Sequence, residues 1–119
     1  MFEEIPILRL TKEDFKIKDQ MYCLKNNDKY TFIMLYADYC GFCHRAAPSF
    51  IKFYKMVKNS PYIQLAVIDG VNEKFLSKMY LNEGYPTFLL LSPNGKYIYF
   101  QGDRTPENFL DFVHKYILY

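Results

Sequence analysis

The stretch Tyr30–Tyr36 limits the possible folds of this chain more than any other. Successive residues of a strand point to opposite faces of its sheet. As a strand, it would put Phe32, Met34 and Tyr36 on one face and Ile33 and Leu35 on the other, with Thr31 as the polar exception. A strand apolar on both faces belongs in the middle of a sheet that is covered above and below. Ile63–Ile68 is predicted as a second buried strand and Thr87–Leu91 as a further one.

The segments between them carry helical patterns. From Cys40 to Lys58 the residues Ala46, Ala47, Phe50, Ile51, Tyr54 and Val57 recur near helical spacing. Pro48 lies inside this helix and is expected to kink it, because it removes a donor and crowds the preceding turn. Asn72–Tyr80 reads as a short helix. Ser92-Pro93-Asn94-Gly95 is a tight turn, after which Lys96–Phe100 pairs back antiparallel. Thr105-Pro106-Glu107 opens the last helix with a cap, a proline at the first helical position and an acid in the first turn. Phe109, Val113 and Ile117 form its apolar stripe. Toward the N-terminus, Ile5–Leu10 is predicted as the first strand and Thr11 as the cap of a helix over Phe15–Leu24, although Ile17 and Lys18 fit that period poorly. Asn26-Asn27-Asp28 ends it. The resulting order, β-α-β-α-β-α-β-β-α, describes an α/β domain spanning residues 1–119, with a central mixed sheet flanked by helices on both faces.

With 119 residues the chain has room for one domain, and 50% hydrophobic residues exclude a disordered tail. Fifteen basic residues against thirteen acidic ones alternate along the chain, which argues against nucleic-acid binding, where cations gather on one face. Tyr97, Tyr99, Tyr116 and Tyr119 read as packing residues and not as a base-stacking platform. The apolar runs are far short of the roughly 20 residues needed to span a membrane. The acidic start, Met1-Phe2-Glu3-Glu4, does not resemble a secretory leader, and Tyr116–Tyr119 carries no retention signal. A cytoplasmic monomer is the expectation.

Three cysteines are too few and too odd in number for a disulfide scaffold. Two of them, Cys40 and Cys43, sit at the junction between the central strand and the long helix. A spacing of three brings both sulfurs to one side of the first turn, within bridging reach. At the start of the helix, unpaired N–H groups and the positive dipole end favour a thiolate on Cys40, and Gly41 has no side chain to cover it. Cys23, His44 and His114 are expected to be a buried apolar filler and two solvated imidazoles. Asp38 is expected in an exposed loop, and Asp69 at the end of its strand near the site.

Tyr36-Ala37-Asp38-Tyr39-Cys40-Gly41-Phe42-Cys43, followed by Ala47-Pro48 and Phe50, resembles the thioredoxin pattern F/Y-A-x-W-C-G-x-C-x-x-x-x-P. Gly84-Tyr85-Pro86-Thr87 resembles the family's cis-proline loop, and Gln101-Gly102-Asp103-Arg104 the loop after its fifth strand. Tyr85 and Arg104 lean toward the catalytic domains of protein disulfide isomerases. The resemblance implies a thioredoxin-like fold and a thiol–disulfide oxidoreductase. Cys40 would attack, Cys43 would resolve, and Arg104 would approach Cys43 during release. Tyr39, Gly41, Phe42, Tyr85, Pro86 and Gly102 would line or shape the groove for a protein substrate, with Pro86 cis and the Tyr85 backbone pairing with an extended chain. No metal or organic cofactor is implied, but a partner reductase or oxidase is.

This sequence also departs from the pattern. Tyr39 replaces the tryptophan before the first cysteine. The carboxylate usually buried six positions before Cys40 is Met34 here, and the lysine paired with it aligns roughly to Leu65. The usual proton acceptor for Cys43 is therefore missing. Three alternatives stay open. Cys23, Cys40, Cys43 and His44 formally supply four zinc ligands, although adjacent Cys43 and His44 point about 100° apart on a helix. Cys40-Gly41-Phe42 resembles the monothiol glutaredoxin motif, which would imply glutathione or an iron–sulfur cluster. A thioredoxin fold lacking its buried acid could also serve as a binding or structural module.

Overall fold

The computed structural model of the chain describes residues 1–117. Tyr119, read above as a packing residue, lies outside them. The elements run β1 (Leu8–Arg9), a 3₁₀ turn (Lys12–Asp14), β2 (Phe15–Lys18), β3 (Met21–Leu24), β4 (Tyr30–Tyr36), α1 (Gly41–Val57), β5 (Ile63–Asp69), α2 (Lys74–Tyr80), β6 (Thr87–Leu91), β7 (Tyr97–Tyr99) and α3 (Pro106–Ile117). The main sheet has the order β1-β5-β4-β6-β7. β1, β5 and β4 run parallel, whereas β6 pairs antiparallel with both β4 and β7.

The strand apolar on both faces is central, as its pattern requires. β4 pairs along its length with β5 and along most of it with β6. On one face Phe32, Met34, Leu65, Val67, Phe88 and Leu90 pack against Phe50 and Phe53 of α1 and Phe109 and Val113 of α3. On the other, Ile33, Leu35, Ala66, Ile68, Leu89 and Leu91 meet Leu76 and Tyr80 of α2. Each large apolar side chain buried this way contributes about 1.5–3 kcal/mol before the entropy of ordering is counted.

The predicted helix over Phe15–Leu24 is instead a hairpin, β2–β3, with Phe15 opposite Leu24 and Ile17 opposite Tyr22. Its two turn residues, Asp19 (φ 52°) and Gln20 (φ 67°), both take the left-handed conformation that a two-residue hairpin loop requires. Asp-Gln lacks the glycine that usually advertises such a turn. The Thr11 cap survives only as one 3₁₀ turn, in which the Asp14 carboxylate accepts the Thr11 N–H at 2.8 Å. Phe15 and Leu24 then close the α2 face, so a hairpin with α2 covers the sheet there. β1 is shorter than the predicted Ile5–Leu10, because Ile5 turns back onto Phe2 and Pro6 has no N–H for a ladder. α2 starts at Lys74 and not Asn72, since the Asp69 carboxylate holds the Val71 and Asn72 N–H groups in a turn. α1 is continuous through Pro48. None of the described helices is long and apolar enough to cross a membrane.

Gly95 joins the sheet's last hairpin to β2–β3. It has φ +94°, and a Cβ there would lie 2.5 Å from the Tyr22 carbonyl oxygen and 2.9 Å from the Met21 Cβ. Gly95→Ala is therefore expected to cost about 2 kcal/mol, from backbone strain and from pushing apart two packed turns. Urea denaturation checks this, and an unchanged midpoint would show that the two hairpins do not bear on each other.

Candidate active site

The site forms where β4 leaves the sheet. Ala37 is buried, and its carbonyl accepts the Cys40 N–H at 3.0 Å, which turns the chain into α1. Cys40 is the residue that caps the helix, and its sulfur accepts the Cys43 N–H at 3.2 Å, in the place of the usual capping oxygen. The Cys40 thiol also donates to the Tyr85 carbonyl at 3.5 Å. Both cysteines are free thiols, Cys40 half-buried and Cys43 fully buried.

Burial pushes the Cys43 thiol up to about 12, helped by its hydrogen bond and charge interaction with Cys40. Hydrogen bonding to the Ala37 backbone and the Arg104 charge pull it down by less. Met34 and Leu65 are buried in the same apolar cluster as Cys43. Among the described residues, the buried polar side chains are Thr31, Ser77 and Thr87, so no carboxylate or imidazole lies beneath the dithiol.

The Tyr85–Pro86 peptide is cis, and the buried Thr87 hydroxyl ties its loop together: it receives the Asn82 N–H at 3.1 Å and faces the Asn82 and Gly84 carbonyls. A cleft of about 160 Å³ brings together Tyr85, Pro86, Gly102 and Arg104, between this loop and the one after β7. Gly102 has φ +142°. The exposed Arg104 guanidinium lies 5.7 Å from the Phe88 ring centroid. Tyr39 and Phe42 do not line that cleft; at 77% and 60% exposure they stand out around Cys40, and Tyr39 meets the Tyr85 ring edge-on.

The remaining candidates separate. The His44 ring Nε2 lies 2.6 Å from the Asp38 carbonyl oxygen, tying the exposed loop before Cys40 to α1. His114 is at the far end of the molecule, beside Val57 and Asn59. The Asp69 carboxylate is committed to the turn after β5. Cys23 is buried on β3, and not on a helix as predicted; it lies near Tyr80 on the α2 side of the sheet, opposite the layer of Cys43. The four-ligand zinc arrangement is therefore not assembled, and no group of three or more His, Cys, Asp or Glu among the described residues is placed to hold a metal. Three further residues, Arg45, Gly70 and Ser77, belong to the surroundings of the site. Arg45 lies over the Phe42 ring, 4.5 Å from its centroid; both stand at the start of α1, and their i, i+3 spacing is the signal that could have found the pair. Gly70 and Ser77 seat the Tyr85 ring, and no motif signals them.

A C-x-x-C pair opening the helix after the central strand, opposite a cis-proline loop on a five-stranded mixed sheet, defines a thioredoxin-like protein. The thioredoxin family model matches residues 5–115, and the chain belongs to that family. Over 107 residues it is 34% identical to protein disulfide-isomerase A4 of Rattus norvegicus, covering 89% of this chain and 16% of that protein. Over 90 residues it is 29% identical to protein disulfide isomerase-like 1-1 of Arabidopsis thaliana, covering 76% and 18%. The chain thus spans under a fifth of the length of these relatives. The first thioredoxin domain of mouse protein disulfide-isomerase A4 superposes with a TM-score of 0.67 at 26% identity, over 85% of this chain and 78% of that one. The J-Trx1 fragment of ERdj5 shares the fold, with a TM-score of 0.81 at 19% identity, over 99% and 55%.

Proposed function

We propose that this chain is a thiol–disulfide oxidoreductase that exchanges disulfides with protein substrates through the Cys40–Cys43 dithiol. One observation carries the reading: the Cys40 sulfur is half-exposed at the helix start, while Cys43 is buried behind it with its N–H on that sulfur. The Cys40 thiolate attacks a substrate disulfide; a Cys40–substrate bond forms, and the first substrate sulfur leaves and takes a proton. Cys43 then loses its proton and attacks the Cys40 sulfur. The Cys40–Cys43 disulfide forms, the second substrate sulfur leaves, and two electrons have passed to the substrate. The Tyr85 backbone receives the extended substrate, Tyr39, Phe42 and Gly102 border it, and a partner reductase or oxidase resets the dithiol. Insulin turnover with a coupled reductase tests the activity, and its absence would leave only a binding module. Equilibration with glutathione reads the direction: about −270 mV marks a reductant, and about −180 mV an oxidase or isomerase.

Release is the demanding step, because burial holds Cys43 protonated and no buried carboxylate or imidazole is present among the described residues. Two of the causes that raise Cys43 come from Cys40 and vanish once Cys40 is bonded to substrate, but burial remains. A group held protonated gains thiolate as pH rises, so single-turnover release is expected to quicken by up to about tenfold per unit between pH 6 and 9. Arg104→Ala should slow release several-fold across that range, with little change in the initial attack. Equal release rates in wild type and Arg104→Ala, or a flat profile, would point to another base.

A further inference from the structure

Gly70 closes β5 and is buried, and its φ lies outside the left-handed region, so its own backbone tolerates alanine. The obstacle is one side chain. A Cβ on Gly70 would lie 2.4 Å from the Tyr85 hydroxyl, 2.5 Å from its Cε1 and 2.8 Å from its Cζ. The same hydroxyl pairs with the buried Ser77 Oγ of α2 at 2.8 Å. The Tyr85 ring is therefore seated in a slot with Gly70 beside it and Ser77 at its end, between the two core layers. The main chain of the same residue faces outward, where its carbonyl accepts the Cys40 thiol.

We propose that Gly70 and Ser77 are positioning residues, forming a slot that seats Tyr85, holds its carbonyl against Cys40 and so biases the dithiol–disulfide balance. This rests on the oxidoreductase reading above. Cys40 donates a proton to that carbonyl only as a thiol; in the Cys40–Cys43 disulfide it has none to give. A well-seated Tyr85 therefore favours the dithiol. Loosening the seat should shift the equilibrium dithiol + glutathione disulfide ⇌ protein disulfide + 2 glutathione to the right. A two- to five-fold shift is expected, roughly the size of one weak hydrogen bond and about 10–20 mV toward a more reducing potential.

The test is a double-mutant cycle on the full chain with Gly70→Ala, Tyr85→Val and the two combined. Gly70→Ala alone is expected to shift the glutathione equilibrium constant two- to five-fold toward the disulfide. In the Tyr85→Val background, where the ring is gone, Gly70→Ala should change it by less than about 1.5-fold, because the group it displaces is absent. No shift from Gly70→Ala alone, or an equal shift in both backgrounds, overturns the proposal. If Gly70→Ala does not fold, Ser77→Ala removes only the hydroxyl. It should act in the same direction in the parent chain and do nothing on top of Tyr85→Phe, and equal action in both overturns the proposal. Iodoacetamide labelling of Cys40 follows the seat without turnover and should quicken at least two-fold in Gly70→Ala only where Tyr85 is present. A wild type that exchanges no disulfide, with this coupling intact in labelling, removes the oxidoreductase reading and keeps the slot. Normal exchange without the coupling removes the slot alone.

Discussion

Cys40→Ser is expected to reduce disulfide exchange to the background of the assay, while Cys43→Ser should accumulate mixed disulfides with substrate proteins. The two cysteines differ in the surroundings that decide attack. The Cys40 sulfur is half-exposed and receives the Cys43 N–H. Cys43 is fully buried and held protonated by that burial, so an incoming disulfide does not reach it first. A serine hydroxyl at position 40 does not form the covalent intermediate at neutral pH, because the thiolate is the nucleophile in this chemistry. With serine at position 43, attack proceeds but the second sulfur is missing, so the adduct waits for an external thiol. Non-reducing gels of each variant mixed with an oxidised substrate protein make the check, with mass spectrometry of the adduct bands. Adducts trapped by Cys40→Ser and not by Cys43→Ser would reverse the assignment, and adducts with neither would leave the pair without a role in exchange.

How legible such a site is depends on whether its parts are local. Cys40, Gly41, Phe42 and Cys43 are contiguous, and the strand-to-helix junction around them follows from an apolar run meeting a helical period; both were readable. The absent acid is legible through the resemblance alone, which puts a buried carboxylate six positions before Cys40, where this chain has Met34; that side chain lies buried on the α1 face. What stayed hidden depends on side chains from distant segments. The Tyr85 ring is seated by Gly70 and Ser77, and nothing in the sequence says that a glycine after β5 is kept small by a tyrosine well downstream. The hairpin β2–β3 is hard to recognise in the sequence for a related reason. Its strands are short, its outer face carries Lys16 and Lys18, and exposed Ile17 gives no burial period to follow. Its fold is decided by covering the α2 face of the sheet, a tertiary demand that overrides weak local preference.

The largest loss of stability is expected from Phe32→Ala, at about 3–5 kcal/mol, a large part of the roughly 5–15 kcal/mol that holds a domain together. Phe32 is fully buried on β4, and its ring centroid lies 5.3 to 6.3 Å from those of Phe50, Phe53, Phe88, Phe100, Phe109 and Phe112. These rings come from α1, β6, α3 and the segment just after β7, so one side chain joins both helices of that face to the β6–β7 hairpin. Truncation removes the transfer energy of the ring and also leaves a cavity that surrounding rigid rings cannot collapse to fill. Phe112 provides the control. It touches the same ring but is only half-buried, and Phe112→Ala should cost clearly less because water and neighbouring side chains can fill the space. Urea titrations of both variants at fixed pH, with all cysteines reduced, compare the midpoints. If Phe32→Ala cost under about 1 kcal/mol, or no more than Phe112→Ala, the aromatic cluster would not be what anchors α1 to the sheet. The effect on chemistry follows from that anchor: the first turn of α1 carries both sulfurs, so a loosened helix should also lose the Cys43 N–H contact to Cys40 that the exchange reading relies on. Disulfide exchange in Phe32→Ala should therefore fall further than its folded fraction alone explains, and exchange that tracks the folded fraction would separate the core's stability from the geometry of the dithiol.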